Sequence, residues 1–429
     1  MPRVHVTSIL AVAAACAAAA PPPASAASFR TPLPVMTLKT TQAIGDDTKT
    51  RVRVRVIDHG GRANSPSRGA NVYNGWGGIE IRGQSSAFFD KKSYGLELRK
   101  RSGADRNASL LGLPADADWV LYAAYNDKTL MRNVLAYDAS RLMGRWAPRT
   151  RFVELVHNGR YEGVYVLMER IELNEARVDV PGKGITGRYL LEFTFDFQAR
   201  QKGPFFRTPI KRRPIVFEDP ERADLSAREV RYIRNHVGGV ERTLYRGRRD
   251  AWRTVLHPES TVDYVLVQEL FRNVDAFHAS TFLVKPAGRL LRLGPVWDFD
   301  RSTGNSTSPG SAAIGGWWTR DRAWASQLHR DPGFRRAMRA RWRELRRAGF
   351  RRQLLRRLDR HTRALRPAVG RNFSRWPVLD QIVTPNPVAR GSFTAEVRYL
   401  RFWLKRRMAW LDRATYFRAR ASTRPGGSP

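Results

Sequence analysis

The sequence predicts an α+β fold in two parts, a strand-rich first part and a mainly helical second part. Three observations carry this expectation. Residues 51–57 alternate Arg and Val, the period of a strand with one buried face. Asn158-Gly159 separates two apolar runs, the signal of a hairpin with a two-residue turn. From Trp317 to about Arg418 the apolar residues recur at helical spacing. A length of 429 residues suits two or three domains, or one large two-lobed enzyme. With 42% hydrophobic and 27% charged residues the chain is globular, which excludes wholesale disorder and a multi-span membrane protein.

Residues 1–26 read as a secretory signal peptide. Arg3 marks its basic start, residues 8–20 are small and apolar, Pro21-Pro22-Pro23 breaks any helix, and Ala24-Ser25-Ala26 is a cleavage site. The apolar stretch is too short to span a bilayer. No other run approaches that length, so the mature protein is expected outside the cytoplasm with no transmembrane segment. The single cysteine, Cys16, lies inside this segment, which excludes a disulfide framework and a cysteine-based zinc site. The alternative, a lipoprotein acylated at Cys16, conflicts with the Ala13-Ala14-Ala15 that precedes it, where a leucine is usual.

Residues 27–170 form the strand-rich part. Strands are expected at residues 51–57, 78–83 and 93–100, with a loop at 60–67 and a turn at 110–114. Residues 119–125 are apolar. Asn126-Asp127 then caps a helix over residues 128–142 that Gly144 stops. A hairpin over residues 152–156 and 163–169 closes this part. Residues 171–421 are the helical part. It holds a strand at 189–195, helices at 226–245 and 260–271, and a hairpin at 282–285 and 290–293. A Gly-, Ser- and Thr-rich stretch at 302–316 is expected to be mobile. Residues 422–429 read as a frayed tail.

The 76 Lys and Arg against 39 Asp and Glu give a formal net charge of +37. Arginine is densest over residues 334–371, interleaved with Leu, Trp and Phe, so it falls on the outer faces of amphipathic helices. A solvated face is one reading; contact with an anionic cell-wall or surface polymer is the other. No zinc-finger spacing, RNP pattern or basic-zipper heptad points to nucleic acid.

The sharpest local signal is Val296-Trp297-Asp298-Phe299-Asp300, after the short hairpin. Two carboxylates at the end of an apolar strand are costly unless something compensates them. On a continued strand both would face one side, where they could hold a hard divalent cation such as Mg²⁺. Upstream, Phe271-Arg272-Asn273-Val274-Asp275 ends an apolar helix. Helix, acidic loop, hairpin, second acidic loop is the layout of a protein-kinase catalytic loop and metal loop. Two ion-paired surface loops would give the same spacing. A second signal is Gly78-Ile79-Glu80-Ile81-Arg82-Gly83-Gln84-Ser85-Ser86, followed by Lys91-Lys92-Ser93-Tyr94. Strand, small-residue turn and returning strand can offer N–H groups and hydroxyls to phosphate, or be an ordinary hairpin. Lys92 shares strand parity with Tyr94, Leu96 and Leu98 and is expected to point inward, with Lys91 outward. A third is the hairpin strand ending in Met168-Glu169-Arg170, either plain core or a lobe boundary whose backbone reads adenine.

In this order the pieces resemble the CotH family, named for a spore-coat protein and regarded as atypical secreted protein kinases. The resemblance runs from about Gly78 to Gly304 and more faintly into residues 399–412. It rests on Arg82-Gly83-Gln84-Ser85-Ser86, Lys91-Lys92-Ser93-Tyr94, Asn126-Asp127-Lys128 with Arg132-Asn133, residues 163–169, Asn273-Val274-Asp275, and Gly294-Pro295-Val296-Trp297-Asp298-Phe299-Asp300 with Gly304. It implies a divergent two-lobed protein-kinase-like fold using ATP with Mg²⁺ or Mn²⁺. By position, Asp275 is the catalytic aspartate, and Asp298 the metal aspartate with Asp300 beside it. Lys92 is the phosphate lysine, and Arg82, Gly83, Ser85, Ser86, Met168 and Glu169 border the nucleotide. Two positions depart from protein kinases. The metal-binding Asn expected five residues after the catalytic Asp is Ser280 here. The helix over residues 128–142 has no Glu to pair the lysine, which leaves Asp138 or another carboxylate. The leading function is a secreted kinase acting on Ser or Thr of exported proteins, possibly including itself. The alternatives are a catalytically weak surface protein binding anionic partners, and a phosphotransferase on a non-protein acceptor.

Overall fold

A computed structural model of the protein describes residues 29–414, apart from residues 47, 62 and 183. The expected signal peptide, Cys16 and the tail at 422–429 lie outside the described residues.

The Arg and Val alternation does form a strand. β1 (Val35–Lys39) pairs antiparallel with β2 (Thr50–Ile57), where Val52, Val54 and Val56 are buried between outward-turned arginines. β3 (Tyr73–Arg82), β4 (Ser93–Arg99) and β5 (Asp118–Tyr122) continue the antiparallel run. After helix α1 (Arg132–Leu142), β6 (Thr150–His157) and β7 (Arg160–Glu169) form the expected hairpin. β7 pairs with β5, and β6 pairs in parallel with β1. The seven strands therefore close into a barrel in the order β1-β2-β3-β4-β5-β7-β6.

The barrel core contains Val54, Ile79, Leu96, Leu98, Trp119, Tyr165 and Leu167. Alternate residues of β7, namely Val164, Val166 and Met168, point the other way, into a larger core shared with the helices. Strand period survives there, but neither face of β7 meets water.

The second half carries β8 (Tyr189–Phe193), α2 (Asp196–Gln201), β9 (Phe206–Arg207), β10 (Pro214–Asp219), α3 (Ala227–Arg246), α4 (Pro258–Phe271), β11 (Thr281–Lys285) and β12 (Arg292–Leu293). Its strands form a second sheet in the order β12-β11-β8-β10-β9. β9 and β10 were not foreseen, because short strands in charged surroundings carry almost no periodic signal. Helices α5 (Ala323–Arg330), α6 (Pro332–Arg347), α7 (Phe350–Arg375) and α8 (Phe393–Arg413) complete the chain. In α6 the Asp331 carboxylate caps the N–H groups of Gly333 at 2.7 Å and Phe334 at 2.9 Å. Phe334, Met338, Trp342 and Leu345 fill the inner face, each contributing roughly 1.5–3 kcal/mol by burial, and arginines occupy much of the outer face. The fold is α+β, as expected. No helix among the described residues is long and apolar enough to cross a membrane.

α7 lies across the outer wall of the barrel. Asn372 Oδ1 accepts hydrogen bonds from Val164 N–H at 3.0 Å and from Lys91 Nζ at 3.1 Å. Trp376 Nε1, just past the helix, donates to Glu162 O at 2.9 Å, and Arg371 pairs with Glu154 at 2.7 Å. Gly163 permits this approach: a Cβ there would stand 2.6 Å from Asn372 Oδ1.

Three local expectations need correction. The helix expected from residue 128 begins at Arg132. The Asp127 carboxylate folds the preceding turn by accepting the N–H groups of Thr129 at 3.1 Å and Arg132 at 2.7 Å. Residues 302–316 are tied down, with Ser302, Thr303, Asn305 and Ser306 buried and the Arg272 guanidinium donating to the carbonyls of Gly310, Gly315 and Gly316. The lysine orientation is reversed. Lys91 is 2% exposed and Lys92 only half-buried. β4 starts at Ser93, so parity does not extend back to the lysines, and the outer side of the barrel here meets α7 instead of water.

Among the described residues Lys91 has no carboxylate in an ion pair. Burial pulls its ammonium down to about 7, against a weaker upward pull from Glu162. Its Nζ also donates to Val164 O at 2.6 Å. Lys91→Ala should lower unfolding stability by roughly 1–3 kcal/mol through the orphaned acceptors, whereas Lys92→Ala stays within about 0.5 kcal/mol. The sign of the pH effect also follows. Between about 7 and 10.5 the unfolded chain holds the Lys91 proton more tightly, so the wild-type protein gains stability as pH rises through that window. Urea midpoints at pH 7 and pH 9 test this: the gap between wild type and Lys91→Met should shift toward the wild type at pH 9.

Candidate functional site

β12 ends at Leu293, and the chain turns sharply at Asp298, whose φ is 59°. Strand alternation therefore does not set the acidic pair, yet the two carboxylates lie close enough to shift each other's proton affinity. Each keeps some solvent contact along a cleft but is otherwise walled in by protein. Asp298 is pushed well above the ordinary carboxylate range by desolvation, then by Asp300 and Asp275. Asp300 is also raised by desolvation, although the amide of Asn126 opposes the rise.

A set of asparagines holds the loop. Asn126 Nδ2 donates to Asp300 Oδ2 at 2.6 Å, Asn273 Nδ2 to Asp298 O at 3.0 Å, and Asn305 Nδ2 to Asp300 O at 2.8 Å. Asn133 Oδ1 accepts from Phe299 N–H at 2.5 Å. Beneath them the Arg132–Asp127 ion pair, 2.5 Å long and fully buried, is joined to Thr303 Oγ1 through Arg132 Nε at 3.0 Å.

Asp275 follows α4, whose last turn is closed by Arg272 at a φ of 51°. Its carboxyl is 7% exposed at the residue level and is raised to about 6 by desolvation; Arg301 lowers it and Asp300 raises it further. Arg301 Nη1 lies 3.5 Å from Asp275 Oδ1. The structure thus brings Asp275, Asp298 and Asp300 into one electrostatic unit. Arg82 joins them. Its guanidinium lies 5.6 Å over the Trp297 ring, and burial and Arg170 lower its pKa. Trp297 stacks at 6.0 Å on Tyr137. The end of β3 and the acidic loop therefore meet through Arg82 and Trp297. In the small-residue turn after β3, Gly83 has a φ of 99°, and a Cβ would fall 2.0 Å from Ser86 Oγ. Ser85 opens a single 3-10 turn, and Gln84 Nε2 bridges to Gln201 Oε1 at 2.6 Å.

Other expected residues stand differently. Lys92 Nζ donates to Ala87 O at 2.9 Å, at the base of the same loop. Met168 and Glu169 do not present free backbone to a nucleotide, because β7 is paired on both edges in the closed barrel. The Met168 side chain is in the core, and Glu169 is held bidentate by Arg149, at 2.6 Å from Nη2. Asp138 cannot partner a phosphate lysine; it binds Arg141 at 2.6 Å, Arg357 at 2.9 Å and His361 at 2.7 Å. Ser280 donates its N–H to Glu192 Oε1 at 3.1 Å, which puts it beside a different carboxylate from the acidic pair. Glu192 is pushed up to about 7 by desolvation, against Lys202 and with help from Glu218.

Sequence reasoning did not assign site roles to Asn133, Tyr122, Tyr137, Trp297 or Arg301. The available signal was the run from Asp127 to Asn133, where polar residues crowd a stretch otherwise flanked by apolar ones.

The donor set fits a hard divalent cation. The oxygens of Asp298 and Asp300 repel one another, and the buried Tyr122 Oη, within the field of both, has no hydrogen-bond partner among the described residues. The group formed by Asp116, Asp118 and Glu172 is different, since Arg177 pairs with Asp116 at 3.1 Å and Glu172 at 2.5 Å.

Fold and site together define a class, an α+β protein in which the end of β3 meets a loop of clustered carboxylates. The chain belongs to the CotH family, matching the description CotH kinase protein over residues 79–411, most of its length. It is therefore a CotH-like, kinase-related protein. No curated protein matches the sequence.

Removing one carboxylate of the pair should relieve repulsion. Asp298→Asn is expected to melt higher than the wild type in chelator and to gain nothing from millimolar Mn²⁺ or Mg²⁺, whereas the wild type gains several degrees. Differential scanning calorimetry with and without metal checks both signs.

Proposed function

We propose that this protein is a secreted, two-lobed, CotH-like protein kinase that transfers the γ-phosphate of ATP to Ser or Thr of exported proteins. The observation that carries the reading is the electrostatic cluster of Asp298, Asp300 and Asp275, with Arg82 stacked on Trp297, next to Asp298 in the chain. In this reading the barrel is one lobe, and the second sheet with its helices is the other.

The roles follow from each group's surroundings. Asp298 and Asp300 would hold Mg²⁺ or Mn²⁺, which neutralises phosphate charge when bound. Ser280, whose N–H is bound to Glu192, is left out of this metal set. Arg82 would sit against phosphate oxygens, with Gly83, Ser85 and Ser86 shaping the turn over them and Lys92 bracing that turn through Ala87 O. Asp275 would orient the acceptor hydroxyl and take its proton. As the acceptor oxygen bonds to the γ-phosphorus, the bond to the ADP oxygen breaks and ADP leaves with that electron pair. A carboxyl near 6 is ionised enough at neutral pH to accept that hydrogen bond. Arg301, 3.5 Å from Asp275, is suited to charge on the transferring group. The family match and the intact Asp275 and Asp298 favour this over an inactive surface protein.

Purified mature protein with γ-labelled ATP and Mg²⁺ or Mn²⁺ should label itself or an added Ser/Thr acceptor. Asp298→Ala should abolish transfer. Asp275→Asn should lower turnover by about 10²-fold or more while leaving nucleotide affinity nearly unchanged. Lys92→Ala should weaken nucleotide binding without lowering the melting temperature. Transfer that survives Asp298→Ala, or nucleotide binding lost with Asp275→Asn, would remove these roles.

A further inference from the structure

The acceptor side of Asp275 is ringed by cations that the chemistry above leaves unused. Arg322 Nη1 donates to Val274 O at 2.9 Å, and its guanidinium lies 4.1 Å from the centre of the Trp318 ring. Its charge pulls the Asp275 carboxyl down. Arg213, in the turn between β9 and β10, bonds His278 Nδ1 at 2.9 Å, just past Asp275. That imidazole is held down to about 4 by burial and by Arg213 and Arg322, so it is neutral at pH 7. Among the described residues neither Arg213 nor Arg322 is in an ion pair. Arg322 beside Asp275 and Arg213 beside the neutral His278 place two half-buried guanidinia on this side.

The charge continues outward. Arg320 and the ring of Tyr245 line a cavity of about 790 Å³, and Tyr245 is within the electrostatic reach of Arg213. Arg248, Arg249, Arg330 and Arg335 line it as well, against a single carboxylate, Asp321. Guanidinium forks match carboxylates bidentately, and an aromatic wall adds stacking area.

We propose that this tract, from Arg213 and Arg322 into the arginine-lined cavity, is the acceptor-docking site and selects peptides in which Ser or Thr is flanked by several Asp and Glu residues. It rests on the kinase reading for the reaction, but docking itself is separable from transfer.

The test therefore reads binding first. Labelled peptides of equal length, with one Ser among acidic, neutral or basic neighbours, are titrated onto the full chain without nucleotide. The acidic peptide should bind at least about tenfold tighter than the neutral one and weaken as salt rises from about 50 to about 300 mM. Arg249 and Arg320 are exposed, so Arg249→Gln and Arg320→Gln should keep the fold; each should weaken the acidic peptide by about 3- to 10-fold. Arg213→Gln, checked by its melt, should raise KM for the acidic peptide more than it lowers kcat. Equal affinity for neutral and acidic peptides, or indifference to Arg213→Gln and Arg320→Gln together, would overturn the docking site. Transfer to neutral and basic peptides as readily as to acidic ones would overturn it too, and leave the kinase reading intact. Tight, arginine-dependent acidic binding with no transfer to any acceptor would support the docking site and count against the kinase reading.

Discussion

Like charges gathered in one cleft are the constraint on which the rest of this structure depends. Desolvation raises the proton affinity of all three, Asp300 and Asp275 raise Asp298 further, and Asp300 raises Asp275. Left alone, such a cluster would drive its own loop apart. The loop is instead held from outside the carboxylates, mostly through its backbone. Asn133 takes Phe299 N–H, Asn273 grips Asp298 O, and Asn305 grips Asp300 O. A neutral amide can fix a carbonyl or an N–H without cancelling a carboxylate's charge, and that is what leaves the cluster free to attract a cation. Deeper in the protein, arginine does the opposite and neutralises a carboxylate directly. The Arg132–Asp127 pair is fully buried, so it is costly to desolvate and contributes little net stability, but it fixes where α1 begins and where Thr303 sits.

Directional polar contacts also join the barrel to the helices. A closed barrel normally offers its outer face to water, yet β7 is buried on both faces because α7 lies against it. The joint is polar as well as apolar. Asn372 accepts from Lys91 and Val164, while Arg371 reaches Glu154. A joint made of directional contacts fixes one angle between the barrel and the helical half more sharply than greasy packing alone would.

Much of the fold was legible in the sequence. The β2 alternation, the Asn158-Gly159 hairpin and the long amphipathic helices are local patterns that the chain must satisfy wherever it packs. The acidic pair and Asp275 were legible because carboxylates after apolar runs are energetically conspicuous. What failed did so for a common reason: the outcome depended on a distant partner. Lys91 looked exposed because nothing near it in sequence announces Asn372. Met168 and Glu169 could be read as a lobe boundary offering backbone to adenine because closure of the barrel through β5 and β6 is a long-range event. Residues 302–316 looked mobile because their composition does not show that Arg272 will bind three of their carbonyls.

The arginine excess makes the site more selective than its carboxylates alone would suggest. A net charge of +37 repels free cations at long range and attracts anions. That field is screened over roughly 10 Å at 0.1 M salt, so it steers encounters without deciding what binds inside the cleft. Within the cleft the balance reverses, because Asp298, Asp300 and Asp275 face chiefly Arg301. A bare divalent ion is therefore discouraged on approach and welcomed only at the end. The same ion carried on a polyphosphate arrives as part of an anion, and the long-range field favours it throughout. On the kinase reading proposed above, the charge pattern suits a cation delivered with its nucleotide better than one bound permanently beforehand.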